Sequence, residues 1–211
     1  MRKGRYVHLD LHNLLWTTFA RLIHILDLDK QNTAKRTLIE IKARCARGPE
    51  IHEELLKLGA DFKGTDNQTD TYFKIEQGGR LKLRRGNIEN SLIQYHRAND
   101  AAPKQSNVNL HRPADLEETN TLEAVLRASH SILVEVKKNR QIYFIDNVKF
   151  HLDTVEGLGT FMEIEAIDSD GSKSVESLHA QCLKYISHFE IKDEDLLTHS
   201  YSDMLLELNR A

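Results

Sequence analysis

The residues of this chain that could do chemistry are charges recurring at every second position. Glu40, Lys42 and Arg44 share a parity with Leu38, opposite Ile39, Ile41, Ala43 and Cys45. Arg80, Lys82 and Arg84 stand opposite Leu81 and Leu83. Tyr95 shares a parity with Arg97, and Lys138 with Arg140. Lys149, His151 and Asp153 oppose Phe150 and Leu152, and Glu163 and Glu165 oppose Met162, Ile164 and Ala166. Successive side chains of a strand point to opposite faces, so each run reads as a strand with one apolar and one charged face. One such strand is ordinary, because antiparallel sheets commonly keep one face wet. The whole set is not. It holds four carboxylates (Glu40, Asp153, Glu163, Glu165) and eight bases (Lys42, Arg44, Arg80, Lys82, Arg84, Arg97, Lys138, Arg140). Like charges two residues apart repel unless something sits between them. If the sheet curls, these faces line a net-positive interior that suits a polyanion with metal ions. Arg grips phosphate bidentately and Lys as a point charge. Carboxylate oxygens suit hard divalent cations, and Mg²⁺ typically bridges them to phosphate.

The elements that must position these charges follow from periodicity and punctuation. Strands are expected at Thr37–Cys45, Asp70–Glu76, Arg80–Arg85, Ser91–Arg97, Asn107–Arg112, Ile132–Lys138, Arg140–Asp146, Val148–Val155 and Thr160–Ile167. Gln77-Gly78-Gly79 is a tight hairpin signal. Helices are expected at Pro49–Leu58, with Gly59 just past its end, at Asp115–Ala128, at Val175–Phe189 and at Tyr201–Leu208. Strand runs with helices gathered between them, rather than regular βαβ alternation, give an antiparallel α+β domain. Leu38–Lys42 (Leu-Ile-Glu-Ile-Lys) is echoed by Leu133–Lys137 (Leu-Val-Glu-Val-Lys), which is compatible with a two-halved sheet. Residues 1–36 stand apart as an N-terminal extension, an amphipathic helix or a tail, before a domain spanning 37–208. Its basic start and its stretch Leu11–Leu26 also have the make-up of an organelle presequence, against which Asp10 and the scarcity of serine speak.

Composition narrows the class. The chain has 211 residues, 40% hydrophobic and 29% charged, enough for a real core. Its net charge of −3 argues against a general nucleic-acid binder. No run approaches the length of a membrane span. Cys45 and Cys182 are the only cysteines, which excludes a disulfide scaffold and a four-cysteine zinc site and fits a reducing, cytoplasmic compartment. Cys45 reads as a small residue on an apolar strand face rather than a nucleophile. There is no P-loop, and Gly157-Leu158-Gly159 lacks the third glycine of a dinucleotide fingerprint. None of the eleven histidines forms a His-Glu-x-x-His motif, and His52, His130, His179 and His188 read as ordinary helix or surface residues.

Glu40-Ile41-Lys42-Ala43-Arg44, Thr69-Asp70-Thr71-Tyr72-Phe73, Gly79-Arg80-Leu81-Lys82-Leu83-Arg84 and Val155–Gly159 with Glu163-Ile164-Glu165 arrive in an order that resembles the CYTH superfamily. These are the triphosphate tunnel metalloenzymes, and the likeness is to the class IV adenylyl cyclase-like branch, with similarity also to thiamine triphosphatase. It covers Thr37 to Leu208. The resemblance implies an antiparallel eight-stranded β-barrel or tunnel with helices packed outside. It implies that Glu40, Asp153, Glu163 and Glu165 hold Mg²⁺ or Mn²⁺. It implies that Lys42, Arg44, Arg80, Lys82, Arg84, Arg97, Lys104, Lys138 and Arg140 bind a triphosphate, with Lys42, Lys138 and Arg140 as the catalytic cations and Tyr201 nearby. The family's Glu-x-Glu-x-Lys strand reads Leu38-Ile39-Glu40-Ile41-Lys42 here, so Leu38 replaces the first carboxylate. The implied activity is conversion of ATP to cyclic AMP and pyrophosphate, with phosphate release from a triphosphate, or binding of polyphosphate or nucleotide without turnover, as alternatives. The implied partner is a triphosphate-bearing small molecule (ATP, inorganic triphosphate or thiamine triphosphate) bound by a monomer or homodimer, with no nucleic-acid polymer and no membrane.

Overall fold

Alternation of apolar and charged residues produces strands along most of the chain. The computed structural model describes residues 37–76, 78–96 and 107–210; the extension 1–36, Arg97 and Lys104 lie outside them. In order these form β1 (Thr37–Arg44), α1 (Gly48–Lys57), β2 (Asp61–Phe73), β3 (Arg80–Arg85), β4 (Ser91–His96), β5 (Asn107–His111), α2 (Leu116–Ser129), β6 (Ile132–Ile145), β7 (Val148–Val155), β8 (Gly159–Asp168), α3 (Val175–His188), β9 (Leu196–Leu197) and α4 (Tyr201–Leu208). One antiparallel sheet runs β5-β4-β3-β2-β6-β7-β8-β1-β9. Side chains of β1 and β8 line the same cavity as those of β3 and β4, far away in that order, so the sheet is strongly curled. The expected antiparallel tunnel with flanking helices is present. It differs from a closed eight-stranded barrel in having nine strands, the last only two residues long, and an open hydrogen-bonded order.

Two strands are longer than their pattern suggests. β2 begins at Asp61, nine residues before the expected start, because the ladder to β6 continues through its polar half. Ile132–Lys138 and Arg140–Asp146 are one strand, β6, and Asn139 pairs with Asn67 within it. The Leu133–Lys137 echo of β1 carries no structural repeat. Glu40 and Lys42 face the cavity, whereas Glu135 bonds Arg127 of α2 on the far side of β6.

The apolar faces form the core on the convex side of the sheet. Ile39, Phe150, Leu152, Met162, Ile164 and Ala166 pack with Ile51 and Leu55 of α1 and with Leu178, Cys182 and Ile186 of α3. The spacings of those helical residues are four, which places each set on one stripe. Burying a side chain such as Phe150 or Leu178 completely contributes about 2 kcal/mol. The helix ends are set locally. Pro49 and Glu50 open α1, the Ser174 hydroxyl accepts the Ser177 N–H at the start of α3, and Ser200 with Asp203 forms a reciprocal capping box on α4. α4 is different from the other helices. Its Tyr201 packs with Tyr72, Val134, Val136, Val155 and Phe161, residues on the concave parity of their strands, so α4 sits inside the curl. Cys45 and Cys182 are buried, and burial pushes the Cys182 thiol up to about 11, which makes it inert packing.

The β3–β4 turn is held from beneath by Asp66, which is wholly buried and accepts the Ile88 and Glu89 N–H groups and the Gln68 side-chain amide. Gly86 lies directly against that carboxylate. A Cβ there would meet its oxygens at 2.4 and 2.6 Å and its carbon at 2.8 Å. Gly86→Ala should therefore expel Asp66 from its three hydrogen bonds and cost about 2 kcal/mol, within the usual cost of overpacking. Urea unfolding at fixed pH measures it, and an unchanged midpoint would show that the turn yields freely.

Candidate functional site

Inside the curl lies a cavity of about 930 Å³. That is at the upper end for small-molecule sites. The innermost part of its charged lining is buried, with Lys42, Asp70, Lys138, Arg140, His151 and Glu163 all under 10% exposed. Its apolar lining lies toward the open rim, where Ile88, Leu116, Leu183 and Leu196 are each at least 36% exposed. Seven bases (Lys42, Lys82, Arg84, Arg112, Lys138, Arg140, Lys149) and six carboxylates (Glu40, Asp70, Glu89, Asp115, Glu163, Glu165) line it. The interior is thus nearly balanced rather than strongly positive, because Asp70 and Glu89 join the expected carboxylates.

The charges sort into two clusters. In the first, Asp70 of β2 receives Lys82 at 3.1 Å, Arg84 through two N–H groups at 2.8 and 3.0 Å, and Lys138 at 2.8 Å. Burial alone would raise the Asp70 carboxyl, but Arg84, Lys138 and Lys82 together hold it well below the usual carboxylate range. Burial dominates at Lys138. Asp70 pulls the other way, but Arg84, Arg140 and Lys82 add to the burial, and the ammonium is pushed down to about 7. Arg84 also reaches Glu89 at 3.1 Å, and Lys149 reaches the other Glu89 oxygen at 2.7 Å. Asp66 therefore sets this cluster indirectly, since it fixes the backbone at Glu89.

In the second cluster Glu163 of β8 is bonded by Lys42 of β1, by Arg140 of β6 at 2.7 Å and by the His151 Nδ1 of β7 at 3.1 Å. Lys42 also lies 3.3 Å from Glu40 and 4.0 Å above the Tyr201 ring. Burial opposes ionisation of Glu163, yet Arg140 and Lys42 hold its carboxyl well below the usual range. Burial and the neighbouring Arg140 push the His151 imidazole down. Arg140 joins the clusters along β6: it stands two residues from Lys138 and bonds Asp153 as well as Glu163.

The expected site residues fall into four groups. Glu40, Lys42, Lys82, Arg84, Lys138, Arg140, Glu163 and Glu165 line the cavity together. Asp153 is on the same face but is engaged by Arg140 and by the Tyr201 hydroxyl at 2.8 Å. Arg80 grips Asp203 and Ser200 at the cap of α4, and exposed Arg44 lies over Phe161, so neither is among the lining residues. Arg97 and Lys104 fall outside the described residues. Sequence reasoning missed Asp70, Glu89, Lys149 and His151 as site groups. The parity of β7 already placed Lys149 and His151 on the charged face. The Thr69–Phe73 run held Asp70, without any signal of its three partners.

Nδ1 of His151 and the carboxylates of Glu163 and Glu165 offer ligand atoms within 4.8 Å of one another. This donor set fits a divalent cation. A curled antiparallel sheet whose concave face holds paired bases and carboxylates, with this cation-ready corner, defines a charged tunnel. The CYTH domain pattern matches residues 37–201, and the chain belongs to that family. It is 22% identical over 178 residues to a Methanocaldococcus jannaschii protein named "Putative adenylate cyclase", spanning 79% of this chain and 97% of that one. The structure of the PH1012 protein from Pyrococcus horikoshii matches with a TM-score of 0.66 at 26% identity, over 79% of this chain and 98% of that one. A Hippeastrum protein, described as a "putative adenylyl cyclase" with a dominant triphosphatase activity, has the same fold. Its TM-score is 0.59 at 12% identity, over 82% of this chain and 95% of its own. Among the described residues no helix is long and apolar enough to cross a membrane.

Buried Asp70 holds three cations together, Lys138 buried and Lys82 and Arg84 largely so. Asp70→Asn should destabilise the fold by about 3 kcal/mol, the scale of leaving buried charge unpaired. Inorganic triphosphate should then raise the melting temperature of the variant more than that of the parent chain, since it restores the missing counter-charge by mass action. Thermal unfolding across a triphosphate titration tests both statements.

Proposed function

We propose that this protein is a metal-dependent enzyme that binds an organic triphosphate in the tunnel, with class IV adenylyl cyclase-like conversion of ATP to cyclic AMP and pyrophosphate as the leading reaction. The observation that carries the reading is the convergence of Lys42, Lys82, Arg84, Lys138 and Arg140 on one buried cavity beside Glu163 and Glu165. Five cations aimed inward match the charge of a triphosphate. The more exposed apolar rim of Ile88, Leu116, Leu183 and Leu196 suits an organic group attached to it.

The chain's own groups do most of the work. Phosphoryl-type transfer depends mainly on positioning and charge stabilisation, so fixed cations around the phosphates supply much of the catalysis. Asp70 and Glu163 hold these cations in place beforehand, which lowers the ordering cost of binding. Mg²⁺ or Mn²⁺, held by Glu163 and Glu165 with Glu40 nearby, would neutralise phosphate charge and polarise the bond that breaks. Lys42 and Arg140 then keep Glu163 ionised and oriented. Asp153 and Tyr201 brace Arg140 from behind.

Hydrolysis of a triphosphate to release orthophosphate is the second reading. Leu38, an apolar residue on the cavity wall where the family strand carries a carboxylate, instead favours a third reading, binding of polyphosphate or nucleotide without turnover. The same clamp serves both reactions; they differ in which oxygen attacks which phosphorus.

Incubation with Mg²⁺ or Mn²⁺ and, separately, ATP, inorganic triphosphate and thiamine triphosphate, followed by ³¹P NMR, is the test. Cyclic AMP with pyrophosphate supports the leading reading and orthophosphate the second. Binding without turnover of any of the three would leave a polyphosphate- or nucleotide-binding module. Lys82→Ala and Arg84→Ala should each lower kcat/KM by roughly 100-fold, the scale of losing one fixed donor to a transition state.

Lys138 adds a pH dependence. Its ammonium is charged below about pH 7 and neutral above. A triphosphate needs the cation and raises its pKa on binding. Affinity should therefore fall as pH rises above 7, approaching tenfold per unit for one linked proton. Lys138→Arg stays charged throughout and should flatten that limb in a calorimetric titration from pH 6 to 9.

A further inference from the structure

We infer that His151 is itself a metal ligand, so that the tunnel holds its cation through one imidazole nitrogen and the carboxylates of Glu163 and Glu165, and selects Mn²⁺ over Mg²⁺. The inference rests on the metal-dependent reading above and specifies the ion and its donors.

Register places the donors. His151 lies directly across from Glu163 in the β7–β8 ladder, and Glu165 follows two residues along on the same face. The His151 Nδ1 is 3.1 Å from a Glu163 oxygen and 3.6 Å from a Glu165 oxygen. Ligand atoms bound at about 2.1 Å to one ion stand roughly 3 to 3.5 Å apart, so the imidazole lies close to coordination distance of both carboxylates. The imidazole is 1% exposed, and its Nε2 is buried without a hydrogen-bond partner among the described residues. A buried imidazole whose Nδ1 bonds one carboxylate and lies beside a second is costly as a mere spacer.

Oxygen donors are short in this corner. Asp153 is engaged by Arg140 and Tyr201 and is not among the lining residues, Glu163 lines the cavity but shares its oxygens with Lys42 and Arg140, and the wall of β1 presents Leu38 beyond Glu40. Mg²⁺ demands near-octahedral oxygen coordination, whereas imidazole suits transition metals. Mn²⁺ accepts both donor types, and its electron spin reports which nuclei touch it.

The test is pulsed electron paramagnetic resonance of the full chain with Mn²⁺ alone. A nitrogen coupling of imidazole type is expected. It should be lost in His151→Gln, with Mn²⁺ affinity lowered at least tenfold, and kept in His179→Gln, which removes the other histidine on the cavity wall. Protein labelled with ¹⁵N-histidine provides the same readout without a substitution, should His151→Gln not fold. The coupling should then change to that of ¹⁵N. Mn²⁺ bound through oxygen alone, or equal affinity for Mn²⁺ and Mg²⁺, would overturn the inference while leaving a metal-dependent triphosphate enzyme intact. Nitrogen-coupled Mn²⁺ without turnover of any triphosphate would support the ligand and overturn the enzyme. No Mn²⁺ binding at millimolar concentration would overturn both.

Discussion

Everything in this fold answers to the cost of holding many ionised side chains inside a curled sheet. An unpaired ion in such a place costs several kcal/mol, and even a good ion pair only roughly offsets its own desolvation. The chain meets this by sharing. Asp70 serves three cations, Glu163 serves two and an imidazole, and Arg140 spans two carboxylates. Networks of this kind stabilise only when every member is satisfied. The wiring is therefore tight: nearly every pair joins neighbouring strands, as Asp70–Arg84, Arg140–Asp153 and Lys42–Glu163 do in the ladder, so strand register sets it and among these groups only Arg140–Glu163 reaches across an intervening strand.

The second consequence is an inverted layout. The dry core lies outside the curl, between the sheet and helices α1 and α3, and the charged layer lies within. Helices outside leave the interior free for a ligand. Helix α4 is the exception, and its position explains two residues that looked like ligands. Arg80 is used to hold the capping box of α4 through Ser200 and Asp203. Tyr201, the first residue of that helix, reaches Asp153 beneath Arg140 and carries Lys42 over its ring. α4 thus bears on the second charge cluster from inside the curl, and its capping residues are a structural requirement of the site.

Much of this was legible in the sequence because strand parity is a hard constraint. Once β1, β3, β7 and β8 are recognised as strands, Glu40, Lys42, Lys82, Arg84, His151, Glu163 and Glu165 must share a face, and they do. Parity says nothing about who pairs with whom. Asp70 lies in a strand whose first half, Asp61 to Thr69, is polar on both faces, so it shows no alternation and looks like a loop. Glu89 sits in a turn fixed by Asp66 more than twenty residues away. His151 was placed on the correct face but read through the absence of a histidine motif. Its partners come from a neighbouring strand, where sequence spacing carries no signal. The closed barrel was a matter of edges: with a two-residue β9 and β5 at the two ends, the ladder stays open although the faces still enclose a cavity.

The two charge clusters are not equivalent, and the difference bears on how the tunnel would treat a polyanion. Around Asp70 three cations share one carboxylate, so positive charge exceeds negative and a phosphate can enter without expelling anything. Around Glu163 the carboxylates of Glu40, Glu165 and Asp153 outweigh Lys42 and Arg140, so that corner attracts a cation and repels a bare phosphate. A triphosphate lying across both would need its metal at the Glu163 end and none at the Asp70 end. Arg140, which faces both clusters from β6, is the group through which charge at one end is felt at the other. Electrostatics thus sets which end of the tunnel would take a metal, while the two ends of a triphosphate, alike in charge, would be told apart by what else they carry.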